Sequence, residues 1–325
     1  MQITFAEAEF VSKKKQTRRD RLLMDLETLV PWPVLESVIE PSYPKSDGKR
    51  GRPTMGLSRM LRMYILQQVM GFSDEGTEDA VYDSAAIQLF MDIDLGRDAV
   101  PDATTLLRFR RLLETHSLTQ QIFAAVNYQL ASKGLYLKEG TVVDATIIAA
   151  PPSTKNKSKS RDPQMRSTKK GNQYYFGMKA HIGVDAASGL VHTLVTTAAN
   201  VHDVNQAHAL LHGEEQQVYG DSGYLGADKR EENKDKDVEW VVAMRHGKRR
   251  KLRDSGTEEG QLADKIEKLK SRIRAKVEHP FYWVKVHFGH RKTRYRGLAK
   301  NTAHLYSLFA LANLFLSKRC MPLAG

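Results

Sequence analysis

Cysteine is almost missing from this chain: Cys320 is the single one in 325 residues. One thiol excludes an intramolecular disulfide and a zinc site built from several cysteines, and it fits a reducing cytoplasm. Long apolar runs are missing too. The best one, residues 305–316, is broken by Ser307 and Asn313 and falls short of the roughly 20 residues a membrane helix needs, so it reads as a buried helix. The opening MQITFAEAEFVSKKK has no apolar h-region, and no secretion or membrane association is expected. No GxxxxGK[ST] stretch occurs, which disfavours a nucleoside-triphosphate motor and a nucleotide cofactor. Acidic residues are in deficit: 50 Lys+Arg against 38 Asp+Glu leave a net charge of +12. That balance favours a polyanionic partner but does not separate DNA from RNA or an anionic membrane. At 41% hydrophobic residues the chain is too apolar for disorder, and it is long enough for one large domain or two ordinary ones.

The basic residues cluster where turn signals predict loops. Lys13, Lys14, Lys15, Arg18, Arg19 and Arg21 open the chain, and Lys49, Arg50 and Arg52 precede the first strong helix. Lys155, Lys157, Lys159, Arg161, Arg166, Lys169 and Lys170 follow Pro151-Pro152. Arg245, Lys248, Arg249, Arg250, Lys251 and Arg253 form a fourth run; Arg291, Lys292, Arg294, Arg296 and Lys300 form the last. Any single run reads as a solvated loop. Together they favour a nucleic-acid surface, because Lys and Arg release counterions from phosphates. Arg50-Gly51-Arg52-Pro53 also matches the core of AT-hook peptides, which lies along an A·T minor groove with both Arg inward.

The patterning divides the chain into a basic segment (1–48), a helical domain (49–130), an α/β domain (138–318) and a tail (319–325). Residues 57–70 carry apolar positions at helical spacing. Gly71-Phe72-Ser73 ends that helix and caps the next, a further helix spans 85–91, and Pro101-Asp102 opens another bearing Arg108, Arg110 and Arg111. Such a bundle is either a helix-turn-helix-like DNA reader or a plain helical domain with a basic face. After residue 138 the texture turns strand-like. Segments 141–148, 178–184, 190–197, 218–221 and 239–243 predict five strands, with a helix in 201–215. A long charged helix over 258–277 places Ile266, Leu269, Ile273 and Val277 on one face. The layout is α/β with a mixed sheet.

Two carboxylates sit in unusual places. Asp144 lies inside an apolar β-branched strand, where a carboxylate is costly unless paired or metal-bound. Asp221 ends another apolar strand in Tyr219-Gly-Asp-Ser-Gly-Tyr224, where glycines leave room around it. Glu278 ends the charged helix, with Arg274 one turn earlier and Lys285 two turns later. Phosphoryl transfer by two Mg²⁺ ions needs about three converging carboxylates. The competing readings are an edge or capping Asp144, a turn Asp221, and a Glu278–Arg274 surface ion pair. His202-Asp203 is either a metal pair or a helix start capped by Asp203; capping is the preferred reading. His279 beside Glu278 either orients it or marks, with Pro280, a helix kink.

These residues resemble the DDE transposases of bacterial insertion sequences, specifically insertion-sequence family five. The likeness rests on residues 101–114 (PDATTLLRFRRLLE), 176–185 (FGMKAHIGVD) with 199–203 (ANVHD), and 273–281 (IRAKVEHPF) running on to 291–301 (RKTRYRGLAKN). It covers about residues 50–318. The resemblance implies a ribonuclease H-like catalytic core preceded by an all-α DNA-binding domain, and a triad of Asp144, Asp221 and Glu278 serving as catalytic and metal-binding residues. It implies two Mg²⁺ (or Mn²⁺) per site, double-stranded DNA as partner, a homodimer that joins two element ends, and a bacterial cytoplasmic, nucleoid-associated setting. The pattern Tyr-x₂-Arg-x₃-Glu-x₆-Lys is met at Arg274, Glu278 and Lys285, but the Tyr position is Ser271. Expected DNA contacts are Arg274, Lys285, Arg50, Arg52, Arg108, Arg110, Arg111, Lys169, Lys170, Arg291 and Lys292. The alternatives are a catalytically silent DNA-binding relative and a nuclease that hydrolyses without joining.

Overall fold

The computed structural model describes residues 15–45, 54–136, 139–157 and 159–320. Arg50 and Arg52, with the rest of their Arg-Gly-Arg-Pro stretch, lie outside these residues, as do Lys13, Lys14 and Lys49. The chain divides into two compact units. One comprises Met1–Val126 with Tyr306–Leu314; the other comprises Asn127–Leu305 with Phe315–Gly325. Among the described residues no helix is long and apolar enough to cross a membrane.

In the first unit every regular element described is helical. Helices α1 (Arg18–Leu29), α2 (Trp32–Ile39), α3 (Leu57–Met70), α4 (Asp74–Asp83), α5 (Ala85–Met91) and α6 (Ala103–Thr115) are followed by α7 (Leu118–Ser132), which runs on into the second unit. Local chemistry sets the ends. Gly71 adopts φ 66° to stop α3, the Ser73 hydroxyl accepts from Gly76 N at 2.9 Å to start α4, and Asp102 accepts from Thr105 N at 2.6 Å to start α6. Met60, Leu61, Leu66, Ile87, Met91, Leu106 and Leu113 fill the core.

The second unit is built on one mixed sheet. Among the described residues it has six strands: β1 (Gly140–Ala149), β2 (Arg166–Lys170), β3 (Gln173–Asp185), β4 (Val191–Ala198), β5 (Gln217–Gly220) and β6 (Glu239–Val242). β1 is central, antiparallel to β3 and parallel to β5. β5 in turn pairs in parallel with β6. β3 pairs with β2 through its first residues and with β4 through the rest. Helices α8 (Glu231–Lys234), α9 (His246–Asp254), α10 (Glu258–Arg274), α11 (Glu278–Tyr282) and α12 (Leu298–Cys320) complete the fold.

The two-residue period of β1 separates two faces. Val143 points into a core of Ala207, Leu210, Val218, Tyr224 and Ala227. Val142, Asp144 and Thr146 point the other way, where β1 packs against the 3₁₀ turn Ala275–Val277 that follows α10.

Three sequence expectations are corrected. The stretch read as a basic loop contains β2, paired with β3 across Gly171-Asn172, with Gly171 at φ 61°. Its exposed Lys and Arg suit an edge strand, which charge protects from further pairing. The helix expected in 201–215 is a 3₁₀ helix, Asp203–Leu210. The apolar stripe expected on the charged helix divides: Ile266 and Leu269, with Leu262 before them, are 46%, 56% and 60% exposed, whereas Ile273 is half-buried and Val277, in the turn that follows, is buried. Asp264 and Glu267 face inward instead. Asp264 takes Arg249 and Lys268, and Glu267 accepts from Met244 N at 2.9 Å.

Candidate active site

Asp144 and Asp221 meet because β1 and β5 run in parallel register. Thr141 pairs with Val218 and Val142 with Tyr219, so continuing both chains by two residues sets Asp221 beside Asp144. Asp221 opens the 3₁₀ turn Ser222–Tyr224 and spends Oδ1 on Gly223 N at 2.7 Å. A Cβ on residue 223 would lie 2.8 Å from that oxygen, so a larger residue there would push the Asp221 carboxylate out of this position. Asp144 likewise accepts from Ala145 N through Oδ1, at 2.7 Å. Each Asp keeps its Oδ2 for another partner.

Glu278 arrives from the helical run. After α10 the chain passes through the 3₁₀ turn into α11 and then a π turn, Trp283–His287, so Arg274, Glu278 and Lys285 follow one another along a nearly continuous helix. Lys276 fastens this run to the β3–β4 turn, donating to Ala186 O at 2.6 Å and Ala187 O at 2.9 Å. Lys285 reaches β1, donating to Thr146 Oγ1 at 2.6 Å and Ile147 O at 2.9 Å. One of its three donors remains.

Asp221 and Glu278 both lie close enough to Asp144 to act on its carboxyl. Burial pushes the Asp144 carboxyl up to about 7; Asp221 and Glu278 add to the rise, while the Ala145 N–H and Arg274 oppose it. Burial also pushes the Lys285 ammonium down, aided by Lys170 and Arg291 and opposed by Glu278. Lys170, Arg291, Glu278 and Lys285 therefore share one neighbourhood. Arg291 leads into a short extension of the sheet, in which Thr293 N donates to Ala149 O at 2.8 Å and Lys292 bridges Ala149. Asp144, Asp221 and Glu278 offer only oxygen donors, and that donor set fits Mg²⁺ or Mn²⁺.

The remaining expected DNA contacts separate by environment. Lys169, Lys170, Arg291 and Lys292 are exposed in the second unit; Arg108 and Arg111 are exposed on α6. Arg110 is not on that surface. It is 7% exposed, and its guanidinium grips Asp74 at 2.6 and 2.8 Å and Gln67 at 3.3 Å. It ties α6 to α4 and α3, so its charge is spent inside the unit.

Other groups were missed or misread in the sequence. Asp203 does not cap the 3₁₀ helix; its Oδ1 accepts from Lys179 Nζ at 2.9 Å, with His181 Nδ1 3.7 Å away. Tyr224 is fully buried, and its hydroxyl has no hydrogen-bond partner among the described residues. Burial raises that phenol well above its ordinary value, and Asp144, Asp203 and Asp221 raise it further. Its place in the Gly-Asp-Ser-Gly-Tyr run was the available signal.

Residues 10–112 match the family described as Transposase domain (DUF772), and residues 136–314 match Transposase DDE domain. The chain is a DNA transposase. It belongs to the DDE transposase family, whose members generally use a divalent metal for DNA transposition and recombination. A cryo-EM structure of the piggyBac transposase synaptic complex with hairpin DNA aligns over 97% of this chain and 80% of its own, at 11% identity and a TM-score of 0.42.

Proposed function

We propose that this protein moves a bacterial insertion sequence of family five, cutting the element at its terminal inverted repeats and joining the freed ends to target DNA. What supports the reading is the parallel register that sets Asp221 beside Asp144, with Lys285 bonded to the same strand and Arg274 and Glu278 close enough to act on the Asp144 carboxyl. The sheet supports a ribonuclease H-like core: β3 runs antiparallel to both its neighbours β4 and β1, and β1, β5 and β6 run parallel. The exposed Arg108 and Arg111 of the helical unit supply cations for the element ends.

Asp144, Asp221 and Glu278 would hold two divalent cations, which activate an oxygen nucleophile and offset charge on the leaving oxygen. The chain's own groups do the rest. Asp144, whose carboxyl is raised to about 7, would be fully ionised when it serves as a cation ligand. Arg274 places a guanidinium beside the carboxylates and suits bidentate contact with a phosphate. Lys285 offers its remaining N–H as a point charge, with the position of its ammonium fixed by Thr146 and Ile147. Water attacks the phosphodiester at the element end, forming a new P–O bond as the bond to the 3′-oxygen breaks. The released 3′-hydroxyl then attacks a target phosphodiester in line, and the target's own 3′-oxygen leaves. Two ends are joined in one event, which calls for a homodimer on DNA.

The test is Mg²⁺-dependent nicking and strand joining on a labelled duplex carrying the element's own ends. Wild type cuts and joins; Asp221→Asn binds the duplex and does neither. Cutting without joining would leave a nuclease, and tight binding without cutting by wild type would leave a DNA-binding protein.

A further inference from the structure

On the opposite face of β1 from the carboxylates lies a second group of ligating side chains that DNA cleavage leaves without a task. His192, His212 and Glu215 each bring one donor atom to within 4.8 Å of the others. Three separate features of the backbone build this group.

The first is a break in register between β3 and β4 at Gly183/Val184. A bulge re-aims a side chain, and here the His192 ring turns over Gly183. The second is Gly183 itself: a Cβ there would lie 2.7 Å from His192 Cε1 and 2.3 Å from Leu210 O. Only glycine lets the ring and the backbone leading to His212 close together on the sheet. The third is the 211–215 loop, which folds around Glu215. The buried carboxylate accepts from His212 N at 2.6 Å, Gly213 N at 2.7 Å and the Thr141 hydroxyl at 3.1 Å. A carboxylate has about four lone-pair sites, so one is left.

The imidazoles are set for the same purpose. Thr141 spends its one hydroxyl proton on Glu215, so His192 Nε2–H donates to Thr141 Oγ1 at 3.1 Å; ligation through Nε2 moves that proton to Nδ1, where Thr193 Oγ1, 2.8 Å away, can accept it. His212 Nε2 is buried without a hydrogen bond, 3.5 Å from Glu215 Oε1.

We propose that His192, His212 and Glu215 bind one divalent transition-metal ion of the zinc class, tying the 211–215 loop to β4 and β1. Two imidazole nitrogens and one carboxylate oxygen suit Zn²⁺ or Co²⁺, whereas Mg²⁺ prefers oxygen alone. Ligands about 2.1 Å from a tetrahedral ion stand about 3.4 Å apart, so loading draws the donors together by up to about 1.4 Å. Ligation through His212 Nε2 moves its ring proton to Nδ1 and releases the 3.2 Å hydrogen bond from Glu214 N. With three protein ligands, water takes the fourth position. This site and the DDE site face away from each other across the sheet and differ in donor type.

The experiment uses the full chain carrying Asp144→Asn and Asp221→Asn, which disables the oxygen site, titrated with Co²⁺ in millimolar Mg²⁺. The expected result is one equivalent of Co²⁺ with a four- or five-coordinate visible spectrum, displaced by one equivalent of Zn²⁺, and a Zn²⁺-dependent rise in Tm. His192→Ala, or His212→Ala on the loop where the sheet stays intact, abolishes the spectrum while circular dichroism is unchanged. Substoichiometric Co²⁺ in the parent, or a spectrum that survives both His variants, would overturn the proposal.

Discussion

The two faces of β1 treat a carboxylate in opposite ways. On one, Asp144 accepts a single backbone N–H and is crowded by Asp221 and Glu278; burial with these charges holds its carboxyl near 7. On the other, burial pushes Glu215 up, but donation from the His212 and Gly213 backbone outweighs it, and the carboxyl ends below its ordinary range. Thr141, which touches Glu215, and Asp144 are separated by only about 10 Å of strand. The contrast teaches that donors, not depth, decide whether a buried carboxylate is poised for a cation or committed to holding a loop.

Asp221→Asn is the harshest way to break this contrast. It keeps a side-chain acceptor for Gly223 N but withdraws a negative charge, so strand cleavage is expected to fall at least about a thousandfold. Tm stays level or rises, because crowding around Asp144 is relieved. A comparable loss of stability in thermal melts would mean that Asp221 serves the fold and not the chemistry.

Glu215→Gln is expected to cost about 1–3 kcal/mol, since an amide cannot satisfy every donor now aimed at the carboxylate. Its folded pKa is depressed, so its contribution is present above the ordinary carboxylate range and is lost as pH falls through the depressed value. The gap from wild type in denaturant melts should therefore be widest near neutrality and close in acid. A pH-independent gap would assign the loss to packing.

Asp144→Asn should show the reverse sign. The folded pKa is raised, so the metal-free wild type loses stability as pH climbs from the ordinary carboxylate value to about 7, and the penalty then stays constant. The variant should melt a few degrees higher than wild type at pH 8 and at the same temperature near pH 4. Added Mg²⁺ should raise the Tm of wild type alone.

The smallest effect belongs to the helical unit. Arg108→Ala should weaken DNA binding across sequences and lower the salt slope by about one. Filter binding over a salt series reads this directly, and an unchanged slope would remove α6 from the DNA surface.

Much of this arrangement was legible before any coordinates. Asp144 stood out as a charge in a β-branched run, and Asp221 as a charge closing another; parallel register then sets them side by side. Glu278 was plain in pattern, since taken alone a surface ion pair with Arg274 explained it better, and only continuation of the helix through its 3₁₀ turn brings it to the strands. Other features hid for definite reasons. β2 has the composition of a loop and becomes a strand because β3 is long enough to pair with it. Helical spacing cannot tell the solvated Arg108 from Arg110, whose partner Asp74 lies 36 residues away. On α10 the apolar spacing put Ile266, Leu269, Ile273 and Val277 on one face, but Asp264 and Glu267 anchor the opposite side, so that face is covered only from Ile273 onward. His192 escaped notice because a bulge, invisible to a two-residue period, turns it.

The division of α12 has a consequence for how the protein is made. Its stretch Tyr306–Leu314 belongs with the helical unit, where Ser307 Oγ lies 2.8 Å from Tyr64 Oη, and Leu308, Phe309, Leu311 and Ala312 are buried. A ribosome that has finished Val126 must translate the body of the second unit before delivering this stretch, a delay on the order of ten to forty seconds. Until then the first helices wait with an open apolar seam. A fragment that stops within that interval has these helices without the stretch that packs on them, so the packing of the amino-terminal unit is completed only after Tyr306–Leu314 has been made.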